Sequence, residues 1–270
     1  MRKTGSKLKK DRVKVILICL ALLTTTCAIV FAANVIRYYV DLSVSQRELA
    51  SLPQFTIRTT SGAPTIVWES LDFYESRMRE INPDYIGLIM IDGHATNYPV
   101  VRGSDNSKYL NTSYSGAENR FGAIFMDYRC KGNDIPHIII YGHNASDMSG
   151  GGYMFNDLFQ FLDDQYRAEH PAIRIIKDGL LSEFEIFAVR ITDTDDPAYQ
   201  LDFSAPGSFE AFLEKNGAPP DAPQILTLST CYLRGGDDGR MIIQGFRKRV
   251  YPVYRQMMLA EYVRQPRSNL

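Results

Sequence analysis

At 270 residues, with 45% hydrophobic and 11% aromatic side chains, the chain has the apolar content of one ordinary folded domain with appendages, which excludes wholesale disorder. Its formal net charge of -1 excludes a chain-wide basic field suited to nucleic acid, and equally an acidic solvating character.

The near-neutral sum hides one asymmetry. Residues 1–14 hold Arg2, Lys3, Lys7, Lys9, Lys10, Arg12 and Lys14 against Asp11 alone, and run into the uncharged stretch "VILICLALLTTTCAIVFAA" at 15–33. At about 1.5 Å per helical residue this stretch just crosses a hydrocarbon core about 30 Å thick, and the basic flank sets the N-terminus on the cytoplasmic side. It predicts a retained single-pass signal-anchor in the cell membrane, with the rest of the chain extracytoplasmic. A cleaved signal peptide is the rival, since "VFAA" offers small residues to a peptidase, although such apolar regions usually run about 7–15 residues.

Residues 34–83 read as a helical extension and linker. "NVIRYYVDLSVSQRELASL" and "VWESLDFYESRMREIN" are amphipathic, the second repeating apolar residues at Val67, Leu71, Tyr74 and Met78. The connector "TIRTTSGAPT" separates them, and Pro83 marks a break.

From Tyr85 onward eight β-type runs dominate: "YIGLIMI", "YPVVRG", "GAIFMDYR", "HIIIYGH", "AIRIIKD", "EFEIFAVRITD", "QILTLST" and "RMIIQGFRK". Gly, Asn, Asp and Pro clusters between them predict an all-β barrel or sandwich. Two helical insertions are expected, "MFNDLFQFLDDQYRAEH" and "GSFEAFLEKNG", the latter with Ser208 as N-cap and Gly217 as stop.

Cys19 and Cys27 fall in the apolar segment, leaving Cys130 and Cys231 outside it. Two cysteines make no disulfide framework for so large a domain, and no Cys/His cluster suggests zinc. One Cys130–Cys231 bridge is open on the sequence. The acidic residues are scattered, with no Ca²⁺ loop, so no metal or other cofactor is expected.

Cys231 ends an apolar run, where a thiol can be partly exposed as a nucleophile must be. Thiolate is the attacking species, and an imidazole nearby can favour it and later protonate a leaving amine. His143 is suited to that work, because it ends the run "IIIYGH", whereas His94, His137 and His170 lie in a turn, at a strand start and in a loop. Arg240 opens the run after Cys231 and offers a permanent charge and a donor fork to a carbonyl becoming an oxyanion. The hairpin "RGGDDG" lets the chain return, and Arg234 is a second cation on it. The plainer alternative makes Cys231 a small core residue and Arg240 a partner of Asp237 or Asp238.

"TLSTC" followed by an arginine opening the last strand, with "YGHN" upstream, resembles the sortases. "IDGHATNYPVVRGSDNSKYLNTSYSGAENRFGAIFMDYR", the N-terminal helical extension and the helix before the cysteine-bearing strand are similar to class B in particular, and the resemblance covers residues 66–249. It implies a closed sortase-type β-barrel of about eight strands over 84–250, followed by a tail at 251–270. It also implies a thiol transpeptidase acting on surface proteins with a C-terminal sorting signal. Cys231 would attack a Thr carbonyl of the motif to form a thioester, His143 would serve as acid and base, and Arg240 would hold the substrate carbonyl. An amine of a cell-wall precursor, or a lysine of a pilin, would resolve the thioester.

Asn97 and Ser229 match positions that line the site in the family, and Thr230 would help shape the oxyanion region through its backbone. Tyr232 stands where some class B members carry an acidic residue. Two other readings are a cell-wall cysteine hydrolase and a non-catalytic surface-binding barrel. The order of His143 before a strand-end Cys231 disfavours the first.

Overall fold

The computed structural model describes residues 4–52, 57–60, 63–66, 68–94, 97–132, 135–146, 152–232 and 236–252. Arg234 and the tail from 253 lie outside the described residues. Two compact units divide the chain, residues 1–44 and 45–270.

Helix α1 (Thr4–Ser51) runs without interruption from the basic flank through the apolar segment and on to Ser51 in the expected extension. Among the described residues it is the one helix long and apolar enough to cross a membrane, with a mean hydropathy of 2.7 over its most apolar window.

Within the connector, β1 (Ile57–Thr60) and β2 (Ala63–Ile66) pair antiparallel. Helix α2 (Trp68–Ile81) follows and buries Leu71, Tyr74 and Met78, residues three and four apart as one helix face requires. That face packs against Tyr85, Leu88 and Met90 of β3 (Tyr85–Ile91), with the Tyr74 and Tyr85 rings edge to face at 6.4 Å. Burying three such side chains stabilises the contact by roughly 1.5–3 kcal/mol each.

The remaining elements are β4 (Tyr98–Val101), β5 (Phe125–Met126), β6 (His137–Tyr141), β7 (Asn144–Ser146), β8 (Gly152–Met154), α3 (Asp164–Glu169), β9 (Ala172–Lys177), β10 (Leu180–Thr192), α4 (Ser208–Asn216), β11 (Ile225–Cys231) and β12 (Arg240–Pro252). Eight strands close into a barrel in the order β10-β12-β11-β6-β5-β4-β3-β9. Pairing is mostly antiparallel, but β11 and β6 run parallel, as do β4 and β5. Two register shifts on β10 help its long pairing with β12 to curve.

Both helical insertions differ from expectation in detail. Residues 154–170 do not form one helix: Met154 ends β8, a 3-10 segment covers Asn156–Leu162, and the chain turns extended at Asp163. The Asp163 carboxylate accepts from the Tyr166 amide at 2.8 Å and caps a short α3. In α4 the cap position belongs to Gly207, in the left-handed region at φ 74°, and the Ser208 hydroxyl is buried without a hydrogen-bond partner. Gly217 ends the helix at φ 69°, a conformation suited to glycine.

Strand alternation decides what each face of β11 does. Leu226 and Leu228, with Met241 and Ile243 of β12, are fully buried on one face. Ile225, Thr227, Ser229 and Cys231 take the other, shared with Arg240, Gln244 and Phe246 through the ladder. There Ile225 and Phe246 pack under Phe212 and Leu213 of α4.

Candidate active site

The β11–β12 register pairs Cys231 with Arg240, and the parallel β11–β6 register pairs Ser229 with Tyr141. Parallel pairing brings the C-terminal ends of β6 and β11 to the same edge, so His143, two residues past Tyr141, arrives beside the end of β11. The amide of the intervening Gly142 donates to the Ser229 carbonyl at 3.1 Å. A cavity of about 380 Å³ opens there, lined by Cys231, His143, Arg240, Ser229 and Thr230 together with Asn106, Leu110, Arg129, Tyr141, Thr194 and Tyr199. Its volume falls in the range usual for ligand sites, about 300–1,000 Å³.

His143 Nε2 lies 2.7 Å from the Leu110 carbonyl oxygen. That oxygen can only accept, so Nε2 carries the proton and Nδ1 holds the lone pair of the neutral ring. Arg240 Nη1 donates to the carbonyls of Asp237, at 3.0 Å, and Gly239, at 2.8 Å. Its turn thus holds one arm of the fork through backbone oxygens. Among the described residues Arg240 makes no ion pair with Asp237 or Asp238.

The Cys231 carbonyl accepts from Asn144 Nδ2 at 2.9 Å, and Asn144 Oδ1 accepts from Asn156 at 2.6 Å, which ties the end of β11 to the β7–β8 hairpin. The Cys231 thiol is half-buried and free. The bridge to Cys130 left open by the sequence is excluded, because Cys130 is also free. Its thiol donates to the carbonyl of His137, which pairs with Ile225, six residues back along β11 from Cys231. At about 3.3 Å per strand residue the two sulfurs sit near opposite ends of that strand. Burial pushes the Cys130 thiol up to about 11 and leaves it unreactive.

Ser229 and Tyr199 share a 2.7 Å hydroxyl contact. The Thr230 side chain is buried on the opposite face, and its Oγ1 has no partner. Asn97, expected to contact substrate, does not line the cavity. It precedes β4, whose Tyr98 faces a separate small pocket with Leu49 and Tyr153.

Asn106 lines the active cavity instead, and a fully buried carboxylate positions it. Asp127 accepts from Asn106 Nδ2 at 2.8 Å, from Arg129 at 2.9 and 2.7 Å and from the Tyr141 hydroxyl at 3.1 Å. Burial pushes this carboxyl up, but the bonds from the Arg129 side chain and amide and from Asn106 outweigh it and hold it below the usual carboxylate range. Sequence reading missed Asn106, Leu110, Arg129, Thr194 and Tyr199. The polar turn "SDNSKYLN" was the one local sign of the first two.

Among the described residues no group of three or more His, Cys, Asp or Glu side chains is arranged to hold a metal. Thiol, imidazole and guanidinium around one ligand-sized cavity are the groups of a cysteine-dependent acyl-transfer enzyme.

The sortase domain model matches residues 89–248. Sortase B of Listeria monocytogenes is 35% identical over 180 residues, 62% of this chain and 71% of that protein. The crystal structure of sortase B from B. anthracis superposes with a TM-score of 0.61 at 27% identity, covering 79% of this chain and 99% of that one. A Staphylococcus aureus sortase B–substrate complex gives 0.58 at 26% identity over 66% of this chain and 85% of that one. The chain belongs to the sortase family of cysteine transpeptidases, and these relatives are class B members.

Proposed function

We propose that the protein is a membrane-anchored transpeptidase that cuts surface proteins at a C-terminal sorting motif and joins them to an amine of a cell-wall precursor. The observation that carries this reading is the convergence of Cys231, His143 and Arg240 on one cavity, with Cys231 and Arg240 opposed in register.

The Cys231 thiol gives its proton to His143 Nδ1, and the thiolate Sγ so formed attacks the carbonyl carbon of the motif's scissile residue. The C–S bond forms and the carbonyl electrons move onto oxygen, where the guanidinium of Arg240 stabilises them. Collapse breaks the C–N bond, and His143 gives the leaving amine its proton through Nδ1, leaving a thioester. The acceptor amine then loses a proton to the same nitrogen and attacks the thioester, which releases the thiolate and forms the new amide. The wall formed by Ser229, Tyr199 and Asn106 holds the motif. The N-terminal basic flank and α1 hold the catalytic barrel at the outer face of the membrane.

The test is to incubate the full chain in detergent with a library of sorting peptides and an amine acceptor. The ligated product is expected with the native chain and is absent with Cys231→Ala. Cleavage to free acid alone, with acceptor present, would instead make the enzyme a hydrolase.

A further inference from the structure

The face of β11 that carries the nucleophile changes character along its length. Ile225 belongs to the apolar contact with α4, Ser229 and Cys231 belong to the cavity, and Thr227 between them is a buried polar residue. Beside it lie two other buried polar side chains, His137 of β6 and Gln244 of β12, which the chemistry above does not use. His137 shares its face of β6 with Tyr141, which lines the cavity.

The hydrogen bonds of these residues have one consistent direction. The Gln200 carbonyl, 2.7 Å from His137 Nδ1, can only accept, so Nδ1 carries the proton. His137 Nε2 therefore accepts from the Thr227 hydroxyl at 2.8 Å. That hydroxyl accepts in turn from Gln244 Nε2 at 3.2 Å, and Gln244 Oε1 accepts from Arg190 Nη1 at 2.8 Å. Arg190 also makes a two-pronged contact with the Asp196 carboxylate, at 3.0 and 2.7 Å. Asp196 further accepts from Thr192 Oγ1 at 2.6 Å and from the Ala198 amide at 2.7 Å.

The chain of bonds thus leaves the 196–200 segment at Asp196 and returns to it at Gln200. Between the two points stands Tyr199, whose hydroxyl meets Ser229 in the cavity. The His137 ring is held against Phe212 at 4.8 Å, so it has little room to turn. Burial pushes this imidazole down to about 4, which keeps it neutral and its proton on Nδ1 near neutral pH.

We propose that His137 is a positioning residue for the substrate wall: with Thr227, Gln244 and Arg190 it closes a hydrogen-bonded clamp on residues 196–200 and sets Tyr199 against Ser229. The proposal rests on the transpeptidase reading above and goes further in assigning a buried residue, remote from the thiol, to peptide recognition.

The test compares His137→Phe, which keeps a ring against Phe212 but loses both polar contacts, with His137→Asn, whose amide can still donate to the Gln200 carbonyl. Full chains are assayed with a sorting peptide at saturating acceptor amine, for Cys231 alkylation by iodoacetamide, and for hydrogen exchange at the amides of residues 198–200. His137→Phe is expected to raise KM about tenfold with kcat changed less than about threefold, and His137→Asn to recover most of that loss. Exchange at 198–200 speeds up in His137→Phe only, and alkylation is the same in all three chains.

Unchanged KM and exchange in His137→Phe would overturn the proposal. So would equal losses of kcat, alkylation and thermal stability in both variants, which would mark a merely structural role. Should His137→Phe fail to fold, Thr227→Val cuts the same relay and is read the same way. If native chain processes no sorting peptide, the transpeptidase reading fails, while the exchange data still decide whether the clamp exists.

Discussion

Cys231 and Arg240 stand directly opposite each other in the β11–β12 ladder, the last residue of one strand facing the first of the next. Opposed residues of an antiparallel pair share a face with Cβ atoms about 4.5–5.5 Å apart, so the thiol and the guanidinium leave the sheet side by side. A slip of one residue would send Arg240 to the buried face. The hydrogen bond from the Tyr232 amide to the Gly239 carbonyl, at 2.9 Å, continues the pairing past the strand ends and holds this register.

The geometry makes Arg240→Lys a severe change, although it keeps the charge. One arm of the guanidinium is tied to the Asp237 and Gly239 carbonyls, which aims the rest of the fork, and an ammonium cannot hold the turn and the substrate oxygen in the same way. Steady-state assays are expected to show kcat/KM lower by about 10²–10³, with the decrease mainly in kcat.

His143→Gln tests the proposed acid and base. The glutamine amide can keep the donor to the Leu110 carbonyl while removing the nitrogen that carries protons. Peptide ligation is expected to slow by about 10²–10⁴. Peptide affinity, measured with the Cys231→Ala background to prevent turnover, should change little.

Gly142 is where backbone packing supports the site. A Cβ there would lie 2.7 Å from the Phe155 ring and closer still to Ile124, between two fully packed side chains. Gly142→Ala is expected to destabilise the barrel by about 1–3 kcal/mol in denaturant titrations and to lower activity, because the adjacent His143 must shift.

The strands were legible because their apolar runs are bounded by turn residues, and the eight runs match the eight barrel strands. That Cys231, His143 and Arg240 meet at one cavity was legible for the same reason: each terminates or opens such a run. What was not legible depends on tertiary hydrogen bonds. Asp127 collects Asn106, Arg129 and Tyr141 from three places in the chain, and nothing local marks Asn106 over Asn97. The 154–170 insertion looked helical because its apolar spacing is helical, yet Asp163 in an extended conformation breaks it. Ser208 looked like a cap, but the preceding glycine takes the turn.

Stability should depend on pH through His137. Its pKa is pushed down by burial from 6.5 to about 4, so between those values the unfolded chain takes up a proton that the folded chain does not. Stability from this residue is therefore full above about pH 6.5 and falls as pH drops to about 4, by roughly 3 kcal/mol in all. Thermal melting of native and His137→Asn chains from pH 7 to 4 should show the steeper decline in the native chain. Parallel curves would contradict the assignment.

The most direct measurement is intact-mass analysis of the full chain quenched in acid during turnover of a sorting peptide with no acceptor amine. The account predicts an adduct equal to the N-terminal part of the peptide, mapped to Cys231, removed by hydroxylamine and absent in Cys231→Ala. A Cys231→Ala chain that still cleaves and ligates the peptide, or an adduct on any other residue, would contradict it.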